Sequence, residues 1–265
     1  MSKITVKNIA DYKLNRKKIV CLTAYSYSIA KILDEYCDIV LVGDSLAMTV
    51  YGMNSTQNVD LNTMINHGKA VSQACKKSMV IVDLPYGTYE ESKEQALACA
   101  KKVILETGCD GIKIETTKQL IPTITYLCNN NINVMAHIGL LPQHSKNSKD
   151  FRYQGRDENS ALELVDIAIA VEKSKAFSMV IEAVPEKLAS AITHMIKIPT
   201  IGIGASPECD GQVLVSDDLL NFNPDFNPRF VRKYENIAQI IGDAVSKFAD
   251  DVRNNNFPFT ENLLK

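Results

Sequence analysis

The sequence predicts a single α/β domain over residues 1–265, folded as a (β/α)8 TIM barrel. Short runs rich in Val and Ile alternate with longer segments in which apolar residues recur three and four positions apart, the pattern of strands followed by helices. The strand-like runs are nearly continuous in apolar residues, as expected of parallel strands that are covered on both faces. For a chain of 265 residues, a closed barrel is the economical arrangement of such units.

The predicted strands number eight, and each is followed by a polar turn. They are 19–23, 39–43, 79–84, 111–115, 134–138, 178–182, 200–204 and 212–215. The helical patterns are 26–36, 62–76, 93–107, 118–129, 160–174, 186–195 and 233–248. An open, doubly wound sheet is the alternative, because pattern alone fixes topology poorly. Two polar connections, 143–159 and 221–228, are long enough to form lids or binding loops.

The composition favours a soluble, cytoplasmic protein that acts on small molecules. The 29 basic and 31 acidic residues are interspersed and give a net charge of −2, which predicts neither a nucleic-acid partner nor a membrane-surface partner. Residues 1–18 have neither the layout of a secretory signal nor an apolar run that would span a bilayer. The seven cysteines form no Cys-x-x-Cys pair and are interpreted as reduced core thiols.

Ionisable residues collect where the second to sixth predicted strands end. They are Asp44, Asp83, Lys113, Glu115, His137 and Glu182. In a barrel these positions lie at the carboxyl-terminal face, where enzymes of this architecture build their active sites. Their shared placement therefore predicts a catalytic site at that mouth.

Several of these residues also have ordinary structural explanations. Asp44 can cap a helix that begins near Ser45, and Asp83 can begin a turn before the Leu-Pro pair that follows it. Lys113 and Glu115 lie two positions apart on one strand face, so they can form an internal salt bridge.

His137 and Glu182 differ in how easily a structural role alone explains them. A single histidine in an apolar run, such as His137, is more often a core residue than a catalytic one. Glu182 is harder to explain, because an isolated buried carboxylate is costly unless it is paired, protonated or bound to a metal. The convergence of all six residues, rather than any one of them, favours a catalytic function.

Three converging carboxylates without a cysteine cluster predict a hard, oxygen-preferring cation, and Mg²⁺ fits best. Such an ion would bind a 2-oxo acid and stabilise its enolate as a Lewis acid, ready for formation of a carbon–carbon bond. A separate carboxylate would then remove the carbon-bound proton, and Glu182 is the candidate for this general base.

Short motifs follow one another in a fixed order from about residue 19 to residue 248. They are Leu22-Thr23-Ala24-Tyr25, Val42-Gly43-Asp44-Ser45-Leu46, Met48-Thr49-Val50, Ser55-Thr56, Asp83-Leu84-Pro85, Lys113-Ile114-Glu115, His137-Ile138-Gly139-Leu140, Pro142-Gln143, Gln154-Gly155-Arg156, Glu182-Ala183-Val184-Pro185, Ile201-Gly202-Ile203-Gly204-Ala205 and Asp210-Gly211-Gln212. By the order and spacing of these motifs, the chain resembles the ketopantoate hydroxymethyltransferase family.

The resemblance implies transfer of a hydroxymethyl group from 5,10-methylenetetrahydrofolate, as co-substrate, to 3-methyl-2-oxobutanoate, giving 2-dehydropantoate in pantothenate biosynthesis. It implies that Mg²⁺ is held, directly or through water, by Asp44, Asp83 and Glu115. It implies that the substrate is bound by Asp44, Ser45, Asp83, Lys113 and His137, and that Glu182 is the general base. It also implies a homo-oligomer, commonly a decamer.

The chain departs from the family pattern at a few loop positions. Ala47 and Ser206 replace glycines, Ser26 replaces an aspartate, and Thr116 and Thr117 replace a pair of glycines. Ser26 can still cap a helix, and none of the changes removes a catalytic group. The shape of the folate pocket is the property that these changes are expected to affect.

Two other functions fit parts of the sequence. A Mg²⁺-dependent carbon–carbon lyase of the isocitrate lyase kind would also stabilise an enolate in a barrel, but such lyases carry a Lys-Lys-Cys-Gly-His run that this chain lacks. A catalytically silent barrel acting as a binding protein is the second alternative. The intact set of acidic residues and Lys113 argues against it.

Overall fold

The computed structural model describes residues 2–145 and 151–259. Eight parallel strands pair in the order of the sequence and close into a barrel, because the first strand pairs with both the second and the eighth. The predicted TIM barrel is therefore confirmed, and the open sheet is wrong. The strands are β1 Ile19–Thr23, β2 Ile39–Val42, β3 Met79–Asp83, β4 Gly111–Glu115, β5 Val134–Gly139, β6 Ser178–Glu182, β7 Thr200–Ile203 and β8 Gly211–Leu214.

The helices of the barrel unit are α1 Val6–Leu14, α2 Tyr27–Leu33, α3 Leu46–Thr49, α4 Leu61–Ala74, α5 Lys93–Thr107, α6 Ile121–Asn129, α7 Glu158–Lys173 and α8 Glu186–Met195. Short 3₁₀ helices occupy Thr56–Asn58, Lys118–Leu120 and Pro142–His144. The predicted helix 118–129 thus begins as a 3₁₀ turn. Ser26 caps α2 as expected, since its side chain accepts a hydrogen bond from the backbone of Ile29.

In most of the strands, alternate residues face two separate apolar cores; β1 and β8 differ, because Val20 and Gln212 are exposed. In β2, Ile39 and Leu41 belong to the cluster inside the barrel, whereas Val40 and Val42 pack in the larger cluster that includes residues of the surrounding helices. This double burial explains why the strands read as continuous apolar runs. Helix α1, which the sequence analysis missed, places the fully buried Ile9 in the inner cluster.

The strand register aligns the ionisable residues across neighbouring strands. Asp83 pairs with Lys113, Glu115 pairs with His137, and Gly139 pairs with Glu182. Gly139 has a φ of +97°, and a Cβ added there would lie 2.2 Å from the backbone oxygen of Glu182. Only glycine fits this close approach without a backbone shift, so Gly139 fixes the distance between the ends of β5 and β6.

The chain divides into two compact units, Met1–Val215 and Ser216–Lys265. The second unit contains α9 Ser216–Leu219 and α10 Ile237–Arg253. No residue of α10 is buried, and its apolar face is formed by Ile240, Ile241, Val245, Phe248 and Val252, each at least 45% exposed. Whether the chain behaves as the predicted single domain stays a prediction.

The state of the cysteines and the apolar character of the helices can also be compared with the sequence. All seven cysteines are free thiols, as interpreted from the sequence. Within the described ranges, no helix has the length and apolar character needed to cross a membrane. Of the long connection 143–159, residues 146–150 lie outside the described residues.

Candidate active site

The six ionisable residues singled out from the sequence lie together at the carboxyl-terminal mouth of the barrel. Five of them are buried, with exposed fractions of 7% or less: Asp44, Asp83, Lys113, Glu115 and His137. Glu182 is partly buried, with 19% of its side chain exposed. A tight cluster of ionisable groups at the active face of a barrel therefore exists, and its contacts show what each group can do.

Lys113 and Asp83 form the central ion pair of the cluster. The Nζ atom of Lys113 lies 2.8 Å from Oδ2 of Asp83, and the same oxygen accepts a hydrogen bond of 3.1 Å from the backbone N–H of Asp44. Burial lowers the pKa of Lys113, but the charges of Asp83 and Asp44 outweigh burial and hold the pKa above its usual value. Lys113 is thus a fixed cation within the site.

Asp44 is the carboxyl group most perturbed by its surroundings. Burial, together with the nearby charges of Asp83 and Glu115, raises its pKa to about 8, although Lys113 and a hydrogen bond from Gln143 act in the opposite direction. That bond runs from Nε2 of Gln143 to Oδ2 of Asp44 at 2.8 Å. Asp44 does not cap a helix, because Ser45 is the N-cap residue of α3.

Glu115 is held by residues that follow β5. Both of its oxygens accept from the backbone N–H of Gln143, at 3.0 and 3.1 Å, and Oε2 lies 3.1 Å from Nδ1 of His144. The hydrogen bond to Glu115 raises the pKa of His144, which is favoured in its charged form. The internal Lys113–Glu115 salt bridge that the sequence allowed is absent from the ion pairs of the described residues, because Lys113 pairs with Asp83 instead.

His137 and Glu182 form the other side of the mouth. Nε2 of His137 lies 3.1 Å from Oε2 of Glu182, and Nδ1 lies 3.9 Å from Oε1 of Glu115. Neither ring nitrogen makes a well-oriented hydrogen bond, although both are buried. His137 is therefore close to two carboxylates without being locked to either of them.

Ser45 is linked to a chain of polar side chains that leads away from the cluster. Its Oγ lies 2.8 Å from the hydroxyl of Tyr25, and the backbone oxygen of Tyr25 lies 2.6 Å from Nδ1 of His67. The other ring nitrogen of His67 lies 3.0 Å from the hydroxyl of Tyr51. Ser45 makes no side-chain capping bond to α3, and its hydroxyl is instead paired with that of Tyr25.

The donor set fits a divalent cation. The cluster contains three buried carboxylates and a single lysine, and among the described residues Oδ1 of Asp83 is buried without a hydrogen-bond partner, an arrangement that a hard cation would compensate. In the described part of the chain, no three His, Cys, Asp or Glu side chains are close enough to hold one ion. Glu115 is the member turned away, since both of its oxygens face Gln143.

Sequence reasoning missed the residues that hold the cluster in place. Gln143 was noted only within a Pro-Gln motif, although it contacts both Asp44 and Glu115. Tyr89, which is fully buried and donates to the side chain of Gln143, carried no recognisable signal. Gln143 follows β5, and the ends of β5 and its neighbouring strands carry ionisable residues. This position is the signal that would have identified it.

Two of the departures from the family pattern line a cavity next to the mouth. This cavity measures about 170 Å³, and its lining includes Thr116, Thr117, Gly139, Gln154 and Leu164. The hydroxyl of Thr116 donates to the backbone oxygen of Ile114 at 3.3 Å and accepts from the backbone N–H of His137 at 3.4 Å. Ala47 and Ser206 are both buried. The effect of these residues on folate binding stays a prediction.

Comparisons of the sequence with known proteins identify one family. The sequence profile described as ketopantoate hydroxymethyltransferase matches residues 3–260. A 3-methyl-2-oxobutanoate hydroxymethyltransferase from Rhizobium etli is 47% identical over 94% of this chain and 91% of that protein. Proteins with the same description from Agrobacterium fabrum and Bartonella henselae are 45% and 44% identical, over 99% and 100% of this chain and 94% and 96% of their own lengths.

Solved structures with a similar fold are more distant in sequence. A phosphonopyruvate hydrolase in complex with oxalate and Mg²⁺ aligns with a TM-score of 0.62 at 12% identity, over 100% of this chain and 92% of that chain. A 2,3-dimethylmalate lyase of the PEP mutase/isocitrate lyase superfamily aligns with a TM-score of 0.62 at 12% identity, over 100% and 89% of the two chains. At this identity the likeness shows the barrel fold alone.

The raised pKa of Asp44 predicts how the stability of the metal-free protein changes with pH. In the folded state the Asp44 carboxyl keeps its proton up to about pH 8, whereas in the unfolded state it loses that proton near its ordinary pKa. Between these two pH values the folded state binds more protons than the unfolded state. The free energy of unfolding therefore falls as pH rises. We expect Asp44→Asn to flatten this fall, which amounts to at most about 1.4 kcal/mol per pH unit. Chemical unfolding in EDTA at several pH values measures the free energy of unfolding of both proteins. Equal dependence of this free energy on pH in the wild type and in Asp44→Asn would contradict the raised pKa of Asp44.

Proposed function

The chain belongs to the ketopantoate hydroxymethyltransferase family, and we propose that it transfers a hydroxymethyl group from 5,10-methylenetetrahydrofolate to 3-methyl-2-oxobutanoate at the mouth of its barrel. The products are 2-dehydropantoate and tetrahydrofolate, and one water molecule is consumed. The observation that carries the proposal is the buried set of Asp44, Asp83, Lys113 and Glu115, with Glu182 beside it. This set has the groups that deprotonation next to an oxo group requires.

Mg²⁺ is the proposed cofactor, with Asp44 and Asp83 as its ligands and Glu115 acting through water. When bound, the ion supplies a Lewis acid that stabilises negative charge on the oxo oxygen of the substrate. The unpaired Oδ1 of Asp83 supports this assignment, as does the excess of buried carboxylates over cations. Carboxylate oxygens are the ligands that Mg²⁺ prefers in proteins.

Lys113 and Ser45 are proposed to bind the oxo acid. Lys113 is held within the cluster by its ion pair with Asp83, so its positive charge offsets the carboxylate of the substrate without a cost for ordering a flexible side chain. The Ser45 hydroxyl, held at 2.8 Å from the hydroxyl of Tyr25, would provide a hydrogen bond to the oxo acid.

Glu182 is proposed as the general base that removes the proton from C3 of the substrate. Its carboxylate is partly exposed and accepts no hydrogen bond from a backbone donor of the described residues, which leaves it room to approach the substrate. His137, 3.1 Å from Oε2 of Glu182, lines the site and would accept or share a proton with that carboxylate. The carbon nucleophile produced in this way attacks the methylene group carried by the folate.

The two alternative functions have weaker support. The fold likeness to a 2,3-dimethylmalate lyase comes with 12% identity and carries no evidence of a shared reaction. The chain lacks the Lys-Lys-Cys-Gly-His run expected of such lyases. A silent barrel would have no reason to keep three carboxylates buried against one lysine, because buried charge is costly.

We also propose that the protein is a homo-oligomer, a decamer by resemblance to the family. The exposed apolar face of α10 supports association between copies, because contiguous apolar patches on a surface commonly mark interfaces. We expect Val245→Asp to lower the mass measured by light scattering after size-exclusion chromatography. Ser246→Asp, on the same helix, is the matched control and should leave the mass unchanged; a monomeric wild-type protein would contradict the proposal.

Turnover of the named substrates tests the function directly. We expect the purified protein with 3-methyl-2-oxobutanoate, 5,10-methylenetetrahydrofolate and Mg²⁺ to form 2-dehydropantoate, which mass spectrometry detects. Chelation by EDTA should abolish the reaction, and restored Mg²⁺ should recover it. Absence of product in the complete mixture would reject the function, whereas full activity after metal removal would reject only the metal.

Substitution of Glu182 tests the role of the base separately from folate binding. We expect Glu182→Gln to slow exchange of the C3 hydrogen of 3-methyl-2-oxobutanoate in D2O by roughly 10²–10⁴-fold, the usual contribution of a general base. NMR follows this exchange without the folate. Glu186→Gln makes the same change at an exposed position of α8 and should exchange at the wild-type rate. An unchanged rate in Glu182→Gln would remove Glu182 from this role.

A further inference from the structure

Gln143 makes hydrogen bonds to two of the three buried carboxylates of the mouth. It lies in the 3₁₀ helix Pro142–His144 and is 1% exposed. Its side-chain Nε2 donates to Oδ2 of Asp44 at 2.8 Å, and its backbone N–H donates to both oxygens of Glu115 at 3.0 and 3.1 Å. A single residue in the connection that follows β5 therefore contacts carboxylates from the ends of both β2 and β4.

The amide of Gln143 has a single favourable orientation. Nε2 also donates to the backbone oxygen of Leu84 at 3.0 Å, and Oε1 accepts from the hydroxyl of the buried Tyr89. These contacts use both amide hydrogens and the amide oxygen. A flipped amide would place its oxygen against the carbonyl of Leu84, which has no hydrogen to donate.

The 3₁₀ helix is anchored independently of the carboxylates. Nε2 of Gln57, in the 3₁₀ helix Thr56–Asn58, donates to the backbone oxygen of Gln143 at 2.7 Å. The hydroxyl of Ser55 also donates to the backbone oxygen of Ser145 at 3.4 Å. The connections that follow β2 and β5 are therefore joined at this point, and the position of Gln143 does not depend on the acidic residues that it contacts.

We propose that Gln143 is a positioning residue that sets the affinity of the site for its divalent cation, an inference that rests on the proposed metal-dependent function. The amide holds one oxygen of Asp44, and the backbone N–H holds both oxygens of Glu115 away from direct coordination. Hydrogen-bond partners of metal-binding carboxylates orient them before the ion arrives, so that less ordering is needed on binding. Tyr89 supports this arrangement by fixing the amide from the opposite side.

Direct measurement of Mg²⁺ affinity tests the proposal in the intact chain. Gln143→Leu keeps the approximate bulk of the side chain and the backbone donor to Glu115, but it removes the donor to Asp44. We expect its dissociation constant for Mg²⁺, measured by isothermal titration calorimetry, to rise about 10–100-fold, the usual effect of losing such a partner. Its turnover should recover when the Mg²⁺ concentration is raised, a response that a general packing defect would not give.

Gln57→Leu is the matched control, because it removes a glutamine that contacts Gln143 but none of the carboxylates. The bonds from Gln143 to Leu84, from Tyr89 to Gln143 and from Ser55 to Ser145 remain and still hold this segment in place. Its Mg²⁺ affinity should stay close to that of the wild type. If both variants weaken binding equally, anchoring of the loop rather than donation to Asp44 sets the affinity, and the proposal is overturned. A folded Gln143→Leu protein with unchanged affinity overturns it as well.

Tyr89→Phe provides the second test if Gln143→Leu does not fold. It removes only the hydroxyl that fixes the amide, so weakened Mg²⁺ binding is expected, and unchanged binding in that variant counts against the role of Gln143. The wild-type measurements separate this inference from the function itself. Product formation with unchanged affinity in the variants rejects Gln143 alone, whereas a wild-type protein that neither binds Mg²⁺ nor forms product rejects the proposed function.

Discussion

The burial of three carboxylates against one lysine is the constraint on which the rest of the site depends. Charges removed from water are costly unless they are paired and hydrogen-bonded, and the mouth of this barrel meets that requirement only in part. Asp83 is paired with Lys113 through one oxygen, whereas its other oxygen has no hydrogen-bond partner in the part of the chain that the structure describes. The raised pKa of Asp44 has the same origin, since burial and neighbouring negative charge both disfavour its ionised form. The folded chain thus keeps unsatisfied negative potential at the place proposed for the cation.

The barrel brings these groups together through strand register rather than through long-range loops. Asp83 lies opposite Lys113 and Glu115 lies opposite His137 because adjacent parallel strands pair in those registers. A shift of one residue in either pair would turn the side chains to the outer face. The apolar residues on both faces of the strands, such as Ile39 and Val40 of β2, fix that register. The core of the fold therefore determines the geometry of the site.

The sequence predicted the strands and the ionisable residues well, because both depend on local patterns. Each strand was placed to within one residue, since a run that is apolar on both faces has clear ends where a charged or turn residue follows. Helix α1 was missed because its apolar residues are few, although the capping box of Thr5 and Asn8 marks its start. Tyr89 and Gln143 depend on contacts between residues 54 positions apart, and no local pattern contains that information.

The two sides of the mouth differ in how firmly they are held, and the difference matches the chemistry proposed for each. Asp44 and Glu115 accept hydrogen bonds from Gln143, and Asp83 accepts from Lys113, so the side that would hold a cation is ordered before any ligand arrives. Glu182 is partly exposed, and the nitrogens of His137 lack oriented hydrogen bonds. A base must gain and lose a proton in every cycle, and a carboxylate locked by several donors would be a poor one, because those bonds stabilise its ionised form. Within the described residues, Glu182 accepts no such bonds, which agrees with the role of base proposed for it.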